Sequence, residues 1–156
     1  MRIVVMGVSG SGKTVVGEAL AKRLNLPYAD GDAFHSEGNI AKMAQGVALD
    51  DLDRAPWLDA VGAWLAQHQG VVSCSALRRA YRDRLRDFAP DALFVQLNVT
   101  EQLLRARIDA RKDHFMPSSL LRSQLALLEP LAADENGVQV DNTGQSPAEV
   151  AAKVPV

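Results

Sequence analysis

The chain has 156 residues, 47% of them hydrophobic and 23% charged, with a formal net charge of −2. A chain of that size is expected to form one domain, residues 1–156, burying about two thirds of its unfolded surface, and its composition excludes the disordered and disulfide-rich classes. The small net charge gives no reason to expect nucleic acid or a membrane as a partner.

Cys74 is the only cysteine, which excludes an intrachain disulfide. Its apolar neighbours suggest a buried strand end, where a thiol behaves as a small hydrophobe. No signal-peptide pattern precedes the first strand, and no apolar run nears the ~18 residues of a membrane span, so a cytoplasmic location is expected.

Taken in order, residues 2–8 form a continuous apolar run, the pattern of a strand covered on both faces in a parallel sheet. Gly7-Val8-Ser9-Gly10-Ser11-Gly12-Lys13-Thr14 then matches GxxxxGK[ST], a phosphate-binding loop. Its glycines let backbone N–H groups turn around phosphate oxygens, and the following helix start adds its positive dipole end. Lys13 is expected to reach the β and γ phosphates, and Thr14 to offer its hydroxyl to Mg²⁺. The helix runs from Lys13 to about Leu24, with Val16, Leu20 and Leu24 on its core face.

Pro27 to Asp30 reads as a second strand ending in the acidic turn Asp30-Gly31-Asp32. Open parallel sheets bind ligands at the carboxyl ends of their strands, so these carboxylates are well placed. Residues 34–52 read as an insertion over the site, with a short helix near Asn39 to Ala44. Asp53 is a candidate cap for the next helix, which puts Pro56 in its first turn. Trp57, Val61, Trp64 and Leu65 share a core face of that helix.

Gly70 to Cys74 is a third strand, followed by a helix lined by Leu77, Tyr81, Leu85 and Phe88. Arg78 and Arg82 lie one turn apart on its other side, candidates for an anionic substrate. Ala92 to Val99 is a fourth strand, and a helix from Thr100 carries Arg107 and Arg111 at i, i+4. A second helix opens at Ser118 or Ser119. Two short helices around a basic hinge, residues 107–124, suit a mobile lid whose arginines arrive on closure. Val138 to Asp141 is the last strand, and Ser146-Pro147-Ala148-Glu149 is a capping box opening the terminal helix. Five strands alternating with helices make a doubly wound α/β domain.

The loop alone does not name a reaction. A GTPase needs an NKxD element, which is absent, and an ATPase motor commonly carries an acid at the end of its third strand, where this chain has Ser73-Cys74-Ser75. The acids stand instead after strand two, where one carboxylate can hold a metal through water while the other accepts the proton of an attacking hydroxyl. A small-molecule kinase is favoured, with a shikimate kinase, a nucleoside kinase or a non-catalytic ATP-binding module as alternatives.

The phosphate loop, Asp30-Gly31-Asp32-Ala33-Phe34-His35 with Asn39, Lys42-Met43, Gly46, Leu49, Asp53-Arg54 and Trp57-Leu58, and Ser73 through Arg79 with Tyr81-Arg82-Asp83, together resemble the small bacterial-type gluconokinases. Arg107 through Arg111 to His114-Phe115-Met116, Ser123-Gln124 and Leu128-Glu129-Pro130 extend the resemblance over nearly the whole chain. It implies ATP-dependent phosphorylation of D-gluconate at its 6-hydroxyl, an adenylate-kinase-like P-loop fold of five parallel strands with a helical lid, and commonly a homodimer. By position it implies that Gly7 to Thr14, Arg107 and Arg111 bind nucleotide. The related shikimate kinases, which share an acidic pair, imply Asp32 as base and Asp30 beside Thr14 at the metal. Lys13, Asp32 and Arg111 are then the expected catalytic set. A cation must meet the gluconate carboxylate, and Arg54, Arg78, Arg82 and His35 are the candidates.

Overall fold

A computed structural model describes residues 1–110 and 119–156. Strand β1, Arg2–Met6, is the centre of the sheet, because Ile3 to Met6 offer an apolar side chain to each face in turn and all four are fully buried. Strands β2 (Tyr28–Asp30), β3 (Gly70–Ser73), β4 (Leu93–Asn98) and β5 (Gly137–Asp141) complete a sheet of order β2-β3-β1-β4-β5. Every pairing is parallel, with Val4 opposite Val72 on one side and Phe94 on the other.

The period of two along the strands sorts the core into two layers. Val4, Met6, Val72 and Phe94 face helices α3 (Asp51–Gln67) and α4 (Arg79–Phe88), where Trp57, Leu58, Val61, Leu65, Tyr81 and Leu85 receive them. Ile3, Val5, Val71 and Val95 face α1 (Lys13–Leu24) and α7 (Pro147–Ala152). A third cluster of Val8, Leu77, Leu104, Ile108 and Leu121 packs the phosphate loop against α5 (Glu101–Asp109) and α6 (Ser119–Leu127). The doubly wound α/β architecture is the one expected from the strand and helix alternation.

Three local readings are corrected. Asp50, not Asp53, is the N-cap of α3; Asp53 sits at the third helical position, and the two exchange hydrogen bonds as a capping box. The helix consequently starts earlier, and Pro56 lies in its interior. The break is tolerated because the carbonyl it deprives belongs to Leu52, a residue 85% exposed and open to water. The short helix α2 is also longer than expected, Glu37–Ala44, capped by the Ser36 hydroxyl. β1 stops at Met6 and not at Val8, since the chain turns at once into the loop.

Candidate active site

The phosphate loop joins the carboxyl end of β1 to α1. Gly12 caps α1 at φ 91°, and no side chain caps that helix. A Cβ at Gly12 would stand 2.6 Å from Asn142 Nδ2, so the close approach as well as the dihedral requires glycine. The loop is gripped from behind. Arg107 donates to the Gly10 carbonyl at 3.0 Å and to the Asn142 carbonyl at 3.3 Å, and Asn142 donates to the Ser11 carbonyl at 2.7 Å. In front, Lys13 Nζ donates to the Val8 carbonyl at 3.0 Å, and the Ser9 N–H donates to Gln124 Oε1 at 2.7 Å. The buried hydroxyls of Ser9 and Ser11 have no partner among the described residues, and such orphaned donors beside an uncapped helix start suit phosphate oxygens.

The acidic turn faces this loop. Asp30 ends β2, and its Oδ1 accepts the Asp32 N–H at 3.0 Å and the Ser73 hydroxyl at 3.5 Å. The chain then winds one 3₁₀ turn, Gly31–Phe34. A side chain on Gly31 would overlap the Ser73 carbonyl, so glycine seats this turn against the end of β3. Ser9, Gly10, Gly12, Lys13, Thr14, Asp30, Asp32, His35, Arg54, Trp57 and Gln124 line one cleft of about 450 Å³.

His35 stacks on Trp57 with ring centroids 4.2 Å apart, and the indole N–H donates to the Gly31 carbonyl at 2.8 Å. Asn39 Nδ2 meets His35 Nδ1 at 3.2 Å and also donates to the Asp53 carbonyl at 2.9 Å, so Nδ1 accepts and the ring proton sits on Nε2. Burial, aided by the Arg54 cation, lowers the His35 pKa to about 4. The ring is therefore neutral near pH 7 and serves as a hydrogen-bond donor, not a cation.

The basic candidates separate sharply. Arg54 reaches the cleft. Arg82 does not: its side chain is fully buried, donating to Glu135 at 2.7 and 3.0 Å and to the Ala76 carbonyl at 2.9 Å. With its fork closed on Glu135 it has nothing to offer an incoming anion, and the expectation that it binds substrate is corrected. Arg78, at the N-cap of α4, pairs with Glu129 at 3.5 Å and is not part of the cleft lining. Arg111 lies outside the described residues, as does the 111–118 part of the expected lid. Cys74 is 1% exposed, and burial pushes its thiol up to about 12, which leaves it the inert hydrophobe expected.

Comparison with known proteins places this geometry. The shikimate kinase family model matches residues 9–155. The gluconokinase of Gluconobacter oxydans (strain 621H) is 46% identical over 143 residues, spanning 88% of this chain and 80% of its own. The crystal structure of a gluconokinase from Sinorhizobium meliloti 1021 is 50% identical with a TM-score of 0.86, covering 97% of this chain and 87% of that one. The chain belongs to the gluconokinase family. Shikimate kinase from Aquifex aeolicus, 20% identical at a TM-score of 0.60 over 97% of this chain and 92% of that one, shares the fold. The alternative of a shikimate kinase is thus not better supported than the gluconokinase reading.

In and around the cleft three residues escaped a functional reading from sequence, Gln124 in its lining and Asn142 and Tyr81 behind it. Gln124 and Asn142 grip the phosphate loop from elements more than a hundred positions away, which no local pattern reveals. Tyr81 read only as a core residue, yet its hydroxyl is 3.1 Å from Arg54.

Proposed function

We propose that this gluconokinase-family enzyme transfers the γ-phosphoryl group of ATP to the 6-hydroxyl of D-gluconate, giving 6-phospho-D-gluconate and ADP. The observation that carries the reading is a cleft in which the phosphate loop faces a carboxylate, Asp32, a neutral donor, His35, and, among the described residues, the arginine Arg54. A polyol ending in a carboxylate matches that set: Arg54 takes the carboxylate, His35 Nε2–H a hydroxyl, and Asp32 the proton of the attacking hydroxyl. The oxygen of that hydroxyl bonds to the γ-phosphorus as the bond to the bridging oxygen breaks, and Lys13 and the loop amides hold the charge that spreads over the phosphoryl oxygens.

Mg²⁺ asks for one or two carboxylates, phosphate oxygens and water, and the donor set of Thr14 with Asp30 suits it. When bound it neutralises charge on the β and γ phosphates. Arg107, already on the loop, is placed to meet ATP phosphates, and the expected nucleotide role of Arg111 falls to mutation and ATP KM to test. The family resemblance implies a homodimer, with sedimentation as its check.

Coupled measurement of ADP release with gluconate, shikimate and a panel of nucleosides tests the proposal. Gluconate should be turned over with the highest kcat/KM. Turnover of shikimate without turnover of gluconate would overturn it.

A further inference from the structure

Arg54 owes its place to two side chains that bind no part of the phosphate loop. Its Nη1 donates to the Tyr81 hydroxyl at 3.1 Å, and its guanidinium carbon stands 5.2 Å from the centroid of the Tyr81 ring. The same hydroxyl donates to Asp51 Oδ1 at 2.7 Å. Asp51 itself comes only to 3.9 Å of the guanidinium. The direction of the chain is fixed by chemistry: a guanidinium only donates, a carboxylate only accepts, so the phenol must turn its lone pairs to Arg54 and its proton to Asp51.

That arrangement does something a direct ion pair would not. A carboxylate bonded to the fork neutralises it, as Glu135 does to Arg82. A neutral phenol holds one edge of the guanidinium by hydrogen bond and ring contact and leaves the formal charge to the cleft. The balancing charge on Asp51 sits beyond the phenol on a side chain 73% exposed, where water screens it. Arg78, paired with Glu129, lies beside the same phenol from the start of α4 and adds positive potential that opposes its protonation. The Tyr81 pKa is raised, by burial first and by the bond to Asp51 second, so the phenol stays neutral at physiological pH.

We infer that Tyr81 and Asp51 are positioning residues for acceptor recognition: they hold the Arg54 guanidinium with its charge unneutralised and one edge presented to the carboxylate of the acceptor. The inference rests on the proposed role of Arg54 and deepens it. It makes the difference between an acidic and a neutral acceptor depend on a phenol that touches neither.

The test compares gluconate with gluconamide, its neutral analogue, in steady-state kinetics and in calorimetric binding. Wild type should favour gluconate in KM, and Arg54→Ala should erase the preference. Tyr81→Phe keeps the ring and removes the hydroxyl; it should raise KM for gluconate by about tenfold, in line with loss of one charge-assisted hydrogen bond, with KM for gluconamide and both kcat values within about twofold. Asp51→Ala, on an exposed side chain, should shift the same ratio in the same direction by about threefold, and it keeps the question open to experiment should Tyr81→Phe fold poorly. A merely structural role for Tyr81 would move both acceptors together. An unchanged gluconate-to-gluconamide ratio in both variants, beside a collapsed ratio in Arg54→Ala, overturns the positioning role alone. A ratio unchanged in Arg54→Ala overturns the carboxylate role of Arg54 itself, and the positioning role with it.

Discussion

Arg54 and Arg82 are both withdrawn from water, with side chains 13% and 0% exposed, yet they stand in opposite relations to charge. Arg82 closes on Glu135 through two nitrogens and reaches the Ala76 carbonyl with a third, while Arg86 also donates to Glu135. That network ties α4 to the loop before β5. It also pins the turn after β3, where Ala76 takes a left-handed φ of 44°. Arg54 meets a phenol and keeps its charge. Burial of an arginine is thus uninformative about binding until the partner of each N–H is named: a carboxylate partner makes it architecture, and a neutral partner leaves it a receptor.

The contrast breaks first on stability. Arg82→Ala leaves the buried Glu135 carboxylate with only Arg86 and the Ala132 N–H and should cost about 3 kcal/mol, read as a large drop in Tm, whereas Arg54→Ala should melt close to wild type. Comparable Tm values for the two variants would dissolve the distinction.

A pH series sharpens it. Burial pushes the Glu135 carboxyl up, but its bonds from Arg82, the Ala132 N–H and Arg86 outweigh burial and hold it at about 2, against an ordinary 4.5. The folded value is depressed, so the stabilisation is complete above 4.5 and is lost as pH falls toward 2, about 3 kcal/mol in all. Denaturant midpoints of wild type should fall through that window. The Arg82→Ala variant should show a much flatter profile there; a parallel slope would assign the acid sensitivity to other carboxylates.

Inside the cleft the effects move from folding to rate. Lys13→Ala and Asp32→Asn should each lower kcat by at least ~10²-fold with little change in Tm. An Asp32→Asn enzyme of near-normal kcat would remove Asp32 as the base. The smallest effect among these three belongs to Arg54→Ala, a rise in acceptor KM of about ten- to a hundredfold with kcat largely kept. If KM for ATP rises equally, the arginine serves the nucleotide side and the two halves of the cleft have been divided wrongly.

What sequence could show follows from the range of the forces involved. The helix Lys13–Leu24 and the capping box at Ser146 and Glu149 were legible because caps, dipoles and apolar spacing act within one or two turns. The acidic turn and the loop were legible because their spacing is the chemistry. From sequence Asp53 reads as the cap in place of Asp50, since both are aspartates three positions apart and only the hydrogen-bond directions distinguish cap from third residue. Arg82 was misread for a different reason. Its helical spacing from Arg78 is real, but its partner lies 53 positions away in a stretch that reads as a polar turn, and pairing at that distance has no local signature. Tyr81 carries both meanings, a ring in the core and a hydroxyl behind the cleft arginine, and apolar periodicity registers only the first.

One feature of α3 extends beyond chemistry to observation. Its two indoles, the only ones in the chain, each lie under an imidazole: Trp57 beneath His35 in the cleft, and Trp64 against His68 near the far end of the helix at 4.6 Å. Replacing Trp64 with phenylalanine would leave a single indole, separable from tyrosine by excitation at the red edge, in contact with the residue proposed to read the sugar hydroxyls. Acceptor binding then becomes visible as a change in emission from Trp57, in real time and without turnover. The molecule carries its own optical probe at the one place where occupancy matters.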